Sequence, residues 1–488
     1  MRQIVTFTNW TGSSLNSIVL RVPAAEIGGI TLHSVTTTNQ ADEAQISGGV
    51  LEIPVQPAIK EGETTRVEMS YSVNVPRRPG RLGLTAKAIT LGNWYASLSV
   101  HRGDWDRRPF IDVGDAFYTE VADYQLEIET LQPMELAFTG VLKRREGTRW
   151  SIQAENVRDL AIVGSSSFNV ARATSGLTTV TAYALTTPPE RLAATAVEML
   201  EWFSARFGHY PYSEFRAVEA DLPASFGGME YPGLVMLSSQ YGPLQRGSAY
   251  EGLIAHEIAH QWFYSLVGND QIESAWLDEG LATYAALLYY LDVAPSTGQS
   301  QLRQIESSRP VMPISTPIYT FSSDNPYFVA IYRPGAHLLH ELRESMGAQV
   351  FDQVIREYVR IHSHRLATPR SFIDLLQRRT DVNLNPIARR YVDYGAFSYS
   401  APQVWSVTLS ESAPPGTVDL TVSAAFSVGK FEVWLDSLRL VSQDLGGAQG
   451  TTVRLDPRGS APGERVLLTR VWNDEGALFE QAARITVR

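Results

Sequence analysis

The sequence predicts a multidomain α+β chain: an N-terminal β-sheet or sandwich region, a mixed α/β domain, and a small C-terminal β-sandwich. Three observations carry this prediction. Strand-like segments separated by turn residues fill residues 1–186, apolar residues at helical spacing begin after Thr187, and strand-like runs return from about Ala401. At 488 residues the chain also exceeds what one hydrophobic core supports, so division into domains follows from size alone.

In residues 1–186, segments 17–22, 65–75, 124–130 and 178–185 are short, mixed apolar and polar, and rich in β-forming residues. Gly48-Gly49, residues 76–80 and Glu146-Gly147 supply turns between them. Such spacing suggests a sandwich or one large curved sheet. The second domain, 187–400, opens at Thr187-Pro188-Pro189-Glu190. Leu192, Ala196, Met199, Leu200 and Phe203 then recur at helical spacing up to the stop at Gly208. Strand and loop follow to Leu237, and from Tyr250 to about Phe397 the patterns are mostly helical. The third domain, 401–488, contains apolar runs at 404–409, 418–422, 431–435, 466–471 and 485–487. Pro414-Pro415-Gly416 and Gly446-Gly447 are its turn signals.

Composition narrows the function classes. Apolar content of 44% with 19% charged residues describes a globular chain, and no run approaches the ~18 uninterrupted apolar residues of a membrane span. A formal charge of −11 argues against a nucleic-acid partner, which basic surfaces attract. The absence of cysteine removes disulfides, thiol catalysis and Cys-ligated zinc, leaving His and carboxylates as metal ligands. Residues 1–7 read as the start of a strand without the basic opening and apolar run of a signal peptide, so compartment stays open.

The motif that carries chemistry is His256-Glu257-Ile258-Ala259-His260, within a good helical stretch, 252–263. Residues at i and i+4 lie one turn apart on one helix face, so both imidazoles can reach a single ion. Glu257 projects at a neighbouring angle, where it can touch a metal-held water without binding the metal. Taken alone, the pattern also fits two surface histidines beside an exposed glutamate. Glu279, in Trp276-Leu277-Asp278-Glu279-Gly280 at the start of a second helical pattern, changes that balance. A catalytic zinc takes three protein ligands and keeps one open position. His256, His260 and Glu279 complete such a set for one Zn²⁺ per chain. Zinc lowers the pKa of water towards neutrality, and Glu257 is positioned to take the proton and return it to a leaving amine. Thr283, one turn past Glu279, is a weak candidate to support a ligand and reads more simply as an ordinary helix residue.

Residues 207–284 resemble the aminopeptidase N family of zinc metallopeptidases, the gluzincin aminopeptidases. The likeness rests on Phe207-Gly208-His209-Tyr210-Pro211-Tyr212, on Gly227-Gly228-Met229-Glu230-Tyr231, and on the zinc motif with 276–280. Residues 331–336 and 367–372 extend it. The resemblance implies a thermolysin-like α/β catalytic domain over 187–400. It implies an aminopeptidase that hydrolyses the N-terminal residue from peptides bearing a free N-terminus. Glu230 would bind the α-amino group, since a buried carboxylate requires a cationic partner that a blocked residue does not offer. Gly227, Gly228 and Met229 would form the strand beside the substrate, with the glycines allowing close backbone approach. Tyr332 would donate its hydroxyl to the developing oxyanion. The resemblance further implies a first β domain that starts one or two strands late. It also implies a shorter form lacking the large C-terminal helical domain of many relatives, which leaves the site open to longer peptides.

This chain departs from the family pattern in places. The asparagine that follows the amine-binding glutamate is Tyr231 here, and the one that precedes the ligand glutamate is Asp278. No Gln or Glu in the β region stands out as the second amine contact, and Glu120 is the nearest substitute. His337 and His340 read as a helix face, His362 and His364 as solvated, His209 as capping or packing. Trp202, Trp262 and Trp276 read as core. Two other readings share the residues: a thermolysin-like endopeptidase in which Glu230 is incidental, and a non-catalytic peptide-binding protein. Nothing sets the oligomeric state, with a monomer slightly favoured.

Overall fold

Alternation of burial along the N-terminal segments produces strands. In Thr64–Val73, Thr65, Val67, Met69 and Tyr71 face inward, and intervening residues face out or to the rim. The structure is a computed structural model that describes residues 1–40, 42–223, 226–393, 405–412, 417–435, 438–455, 463–473 and 478–487. Thr64–Val73 pairs antiparallel with Arg2–Thr8 on one side and Ile30–Thr37 on the other. A second sheet, ordered Gln45–Ser47, Val50–Ile59, Leu15–Arg21, Ser97–Leu98, shares one core with it, in which Ile18, Leu20, Leu51, Ile53, Val67 and Tyr71 meet. Two further sheets enclose Phe138, Trp150, Ile152 and Ile162. One contains Leu82–Leu84, Ile89–Gly92, Glu135–Phe138 and Ala161–Ser165, and the other Ala122–Glu129, Val141–Glu146 and Arg149–Val157.

The mixed domain is organised by one five-stranded sheet, ordered Asn169–Ser175, Thr178–Ala184, Glu214–Ala220, Leu234–Ser238, Gly228–Met229. Thr178–Ala184 and Glu214–Ala220 run parallel, so the chain must cross over between them. The crossover is the helix Pro189–Phe207. Proline opens it, Glu190 sits in its first turn, and Leu192, Ala196, Met199, Leu200, Phe203 and Phe207 form its buried stripe. The short strand Gly228–Met229 pairs antiparallel with Leu234–Ser238 and forms the sheet edge. The helices that follow include Ala249–Ala259, which carries His256 and Glu257, Trp276–Val293, which carries Glu279, and Asp324–Met346, which carries Tyr332.

The chain divides into two compact units, Met1–Thr368 with Pro386–Tyr394, and Pro369–Asn385 with Gly395–Arg488. The N-terminal sheets and the mixed domain therefore pack as one body. In the second unit, strands Trp405–Ser412, Thr417–Leu435, Leu438–Leu455, Gly463–Asn473 and Leu478–Val487 make one antiparallel sheet with a core of Leu420, Val422, Phe431, Val433 and Val471. The turn predicted at Gly446-Gly447 is corrected here, because both glycines lie within Leu438–Leu455. Val428 pairs with Ala448 and Lys430 with Asp444, so the glycines occupy a bulge. Residues without side chains tolerate such a bulge. Pro414-Pro415-Gly416 and the expected boundary at 400–401 lie outside the described residues. Among the described residues no helix is long and apolar enough to cross a membrane.

Candidate functional site

The helix Ala249–Ala259 begins at Ser248, whose hydroxyl accepts the Glu251 N–H at 3.2 Å. Its last turn presents His256 and, at the C-cap, His260. At His260, Nδ1–H donates to the Phe263 carbonyl at 2.8 Å. That bond leaves Nε2 as the free lone pair. Trp276–Val293 brings Glu279 in from the side. Its Oε2 lies 3.1 Å from His256 Nε2 and 3.3 Å from His260 Nε2, and the two Nε2 atoms are 3.1 Å apart. Ligands ~2.0–2.1 Å from a tetrahedral zinc stand roughly 3.3–3.4 Å from one another, so this donor set fits such an ion with little movement. The Thr283 hydroxyl is 3.5 Å from His256 Nδ1, at the limit of a hydrogen bond.

Burial and mutual charge shape the electrostatics of these groups. Burial opposes the charge on Glu279, yet His260 and His256 hold its carboxylate far below the usual range. His260 is raised well above its ordinary value, against its burial, chiefly by Glu279, whereas burial lowers His256. Glu257 is pushed well above the carboxylate range by burial.

Two close backbone approaches fix the geometry. A Cβ on Gly228 would stand 2.4 Å from Glu257 Oε1, so the edge strand can lie against the catalytic-candidate carboxylate only because residue 228 has no side chain. Gly280, next to Glu279, crosses Gly335 so tightly that a Cβ on it would meet Gly335 Cα at 3.1 Å. This crossing seats Asp324–Met346 against the Glu279 helix. It brings the Tyr332 hydroxyl to Glu279 Oε1 at 2.7 Å and lays the Tyr332 ring along the His256 ring, centroids 5.5 Å apart.

One cavity of about 530 Å³ joins these groups, lined by Gly227, Gly228, Glu230, His256, Glu257, His260, Glu279 and Tyr332 together with Asp115, Phe226, Tyr241, Leu253, Phe328 and Arg333. Met229 is buried and is not among the residues that line the cavity, and its Sδ lies 3.7 Å from Arg81 Nη1. Tyr231 is also absent from the lining, donating to Asn93 Oδ1 at 2.8 Å with its hydroxyl packed against Gly92.

Glu120 is exposed and absent from the lining. The β region instead sends in Asp115, which sequence reading missed. Asp115 is buried and accepts Arg81 Nη1 at 2.9 Å, and one oxygen each of Asp115, Glu230 and Glu279 fall within 4.8 Å of one another. Burial lifts Asp115 to about 7 against the pull of Arg81. Arg81 itself bonds the Gly114 carbonyl at 2.6 Å and lies over the Phe117 and Phe226 rings. Asp115 stands in an irregular loop with no motif around it, and only its burial beside an arginine could have singled it out.

The residues set aside as non-ligands stay away from the cavity. His337 Nδ1 is 3.1 Å from the Ser308 carbonyl, and His340 Nδ1 is 3.3 Å from the Tyr284 hydroxyl. The solvated reading of His362 is corrected, since helix Ala348–His362 buries it with its ring 5.2 Å from that of Tyr358. His364 is half-buried, its Nδ1 3.1 Å from the Asn156 carbonyl. His209 is exposed, Trp262 and Trp276 are fully buried, and Trp202 is half-buried.

Comparison with known proteins bears on residues 192–391, which match the family domain described as "Peptidase family M1 domain". The chain is 30% identical over 192 residues to Aminopeptidase 2 of Candida albicans, covering 36% of this chain and 21% of that one. It is 32% identical over 181 residues to Aminopeptidase N of Homo sapiens, covering 32% and 19%. The chain thus spans about a fifth of the length of these relatives. In fold it is similar to the M1 zinc metallopeptidase of Deinococcus radiodurans, with TM-score 0.59, 20% identity, and coverage of 80% of this chain and 88% of that one. A variant of that protein bound to a Tyr-Ser-Ala substrate aligns with TM-score 0.60 and 21% identity, covering 80% and 89%.

Proposed function

We propose that this chain, which belongs to the aminopeptidase N family of M1 peptidases, is a zinc-dependent aminopeptidase acting on peptides with a free N-terminus. The observation that carries the reading is the pair Glu230 and Asp115, two buried carboxylates in the same cavity as the His256, His260 and Glu279 donor set. Burial opposes charge on both, lifting Asp115 to about 7 and Glu230 well above the carboxylate range, so a cationic partner is what favours their ionised forms. Arg81 serves Asp115, and a substrate ammonium supplies the remaining charge and up to three N–H donors.

Each residue then has a task. Glu230 and Asp115 take the α-ammonium and set the first residue in place. Gly228–Met229 is the edge strand of its sheet, and the peptide lies extended beside it. His256, His260 and Glu279 would hold zinc, which when bound polarises the scissile carbonyl and makes water a nucleophile at neutral pH. Glu257, pressed against Gly228, accepts the water's proton and delivers it to the leaving amine. Tyr332 donates its hydroxyl to the carbonyl oxygen as charge builds there.

The test compares a fluorogenic aminoacyl amide with its N-acetylated twin, each with and without a zinc chelator. Chelator-sensitive cleavage of the free-amine compound alone is expected. Equal cleavage of both would replace this reading with an endopeptidase, and no cleavage by zinc-loaded protein across a panel of first residues would leave a peptide-binding protein.

A further inference from the structure

Asp115 is anchored by Arg81, but no residue of the recognised motifs anchors Glu230. Among the described residues, the donor to its carboxylate is Gln271, whose Nε2 lies 3.3 Å from Glu230 Oε1. The same nitrogen donates to Asp278 Oδ2 at 2.6 Å, and Asn269 Nδ2 holds Asp278 Oδ1 at 2.9 Å. Gln271, Glu230 and Asp278 are all buried, at 1%, 2% and 1% exposure, so these bonds do not compete with water.

The Gln271 amide presents Nε2 to both carboxyl groups. Its two N–H bonds face two carboxylates, while its own Oε1 is buried without a hydrogen-bond partner. With either carboxylate ionised, turning the amide over would set that oxygen against a negative charge, so the orphaned carbonyl is then the lesser cost. The backbone beneath is pinned as well. Asp270 caps the turn Gln271–Ser274 by accepting the Ile272 and Glu273 N–H groups, and Arg108, in the loop between Ser97–Leu98 and Ala122–Glu129, holds Asp270 at 2.9 Å.

From this bridge we infer that Gln271 is a positioning residue, which orients Glu230 towards the substrate ammonium and ties it, through Asp278, to the helix bearing Glu279. The inference rests on the aminopeptidase reading. Gln271 touches neither the cavity nor the donor atoms, yet selectivity for a free amine depends on it. Without its bond, Glu230 has a choice of rotamers in a site whose contacts require one. The loss falls on ground-state binding of the amine, and so on KM more than kcat.

The experiment uses zinc-loaded full chain carrying Glu257→Gln, with Gln271 intact or as Gln271→Met, which keeps the volume and removes both donors. Binding of leucine amide and N-acetyl-leucine amide is measured by calorimetry, alongside zinc content and Tm. Loss of one hydrogen bond to a charged group predicts on the order of 10- to 100-fold weaker leucine amide binding, with zinc content unchanged. In the active background the same change should raise KM for the free aminoacyl amide and move kcat little. Unchanged leucine amide affinity would overturn the inference and leave the aminopeptidase reading standing. Equal binding of both amides to protein with Gln271 intact would overturn both. Should Gln271→Met fail to fold, Gln271→Asn, which keeps the amide but shortens its reach, carries the same expectation.

Discussion

At Glu257 the chain holds a carboxylate that is 4% exposed, raised in pKa by burial, and pressed against a glycine. Burial of this kind raises a carboxylate's affinity for a proton, as a general base requires. Glu257→Gln should lower kcat by roughly 10²–10⁴-fold and leave zinc content unchanged, measurable by single-turnover assay and metal analysis. Near-parent turnover would remove Glu257 from the mechanism. Asp115→Asn should act on binding instead, raising KM for the free aminoacyl amide about 10-fold or more, while any residual rate on the N-acetylated twin stays unchanged. The two outcomes reflect unequal legibility. His256, Glu257 and His260 were visible in sequence because helical periodicity alone puts them together. Asp115 was not, because a loop carboxylate acquires its role only from what is folded around it.

Two devices belong to the elements. The Gly280–Gly335 crossing sets the separation of Glu279 from Tyr332, so Gly280→Ala should push Trp276–Val293 from Asp324–Met346. It should destabilise the protein by about 1–3 kcal/mol and reduce turnover more than zinc affinity. Thermal unfolding and kcat measured together check this, and an unaltered kcat would show that the crossing does not govern Tyr332. The second device is Glu219, at the end of Glu214–Ala220. It accepts the Leu185, Thr186 and Thr187 N–H groups and the Tyr250 hydroxyl, tying strand, motif helix and crossover together. Burial works to raise its pKa, but these hydrogen bonds prevail and lower it. A lowered folded-state pKa means that the stabilisation is fully present above the unfolded value of about 4.5 and fades as pH falls through the folded one. Glu219→Gln should therefore cost about 1–3 kcal/mol at pH 7 and progressively less below pH ~4.5, as denaturant melts across pH would reveal. The helices and most strands were legible from period and punctuation. The Gly446-Gly447 bulge was not, since a glycine pair marks a turn or a bulge equally well until its partner strand is known.

Across the whole molecule, the N-terminal sheets and the mixed domain form one body, and the site depends on that. Asp115 and Arg81 come from the first, and the donor set, Glu257, Glu230 and Tyr332 from the second. Zinc held by two different helices should stabilise this body by about 2.7 kcal/mol at a free concentration 100-fold above its Kd. Hydrogen exchange should gain protection in Ala249–Ala259 and Trp276–Val293 on adding zinc and none in Thr417–Leu435. Equal protection with and without the metal would mean that His256, His260 and Glu279 do not hold it.

The sequence by itself determined the order of β, mixed and β regions, the candidate donor set His256, His260 and Glu279, and the candidate base, because each is a local pattern in period, spacing or turn chemistry. Only the tertiary structure decided that Asp115 and not Glu120 lines the cavity, that Met229 stands off its lining, and that Gln271 bonds Glu230. Those outcomes depend on which distant surfaces meet, and contacts between residues far apart in the chain leave no periodic mark in it.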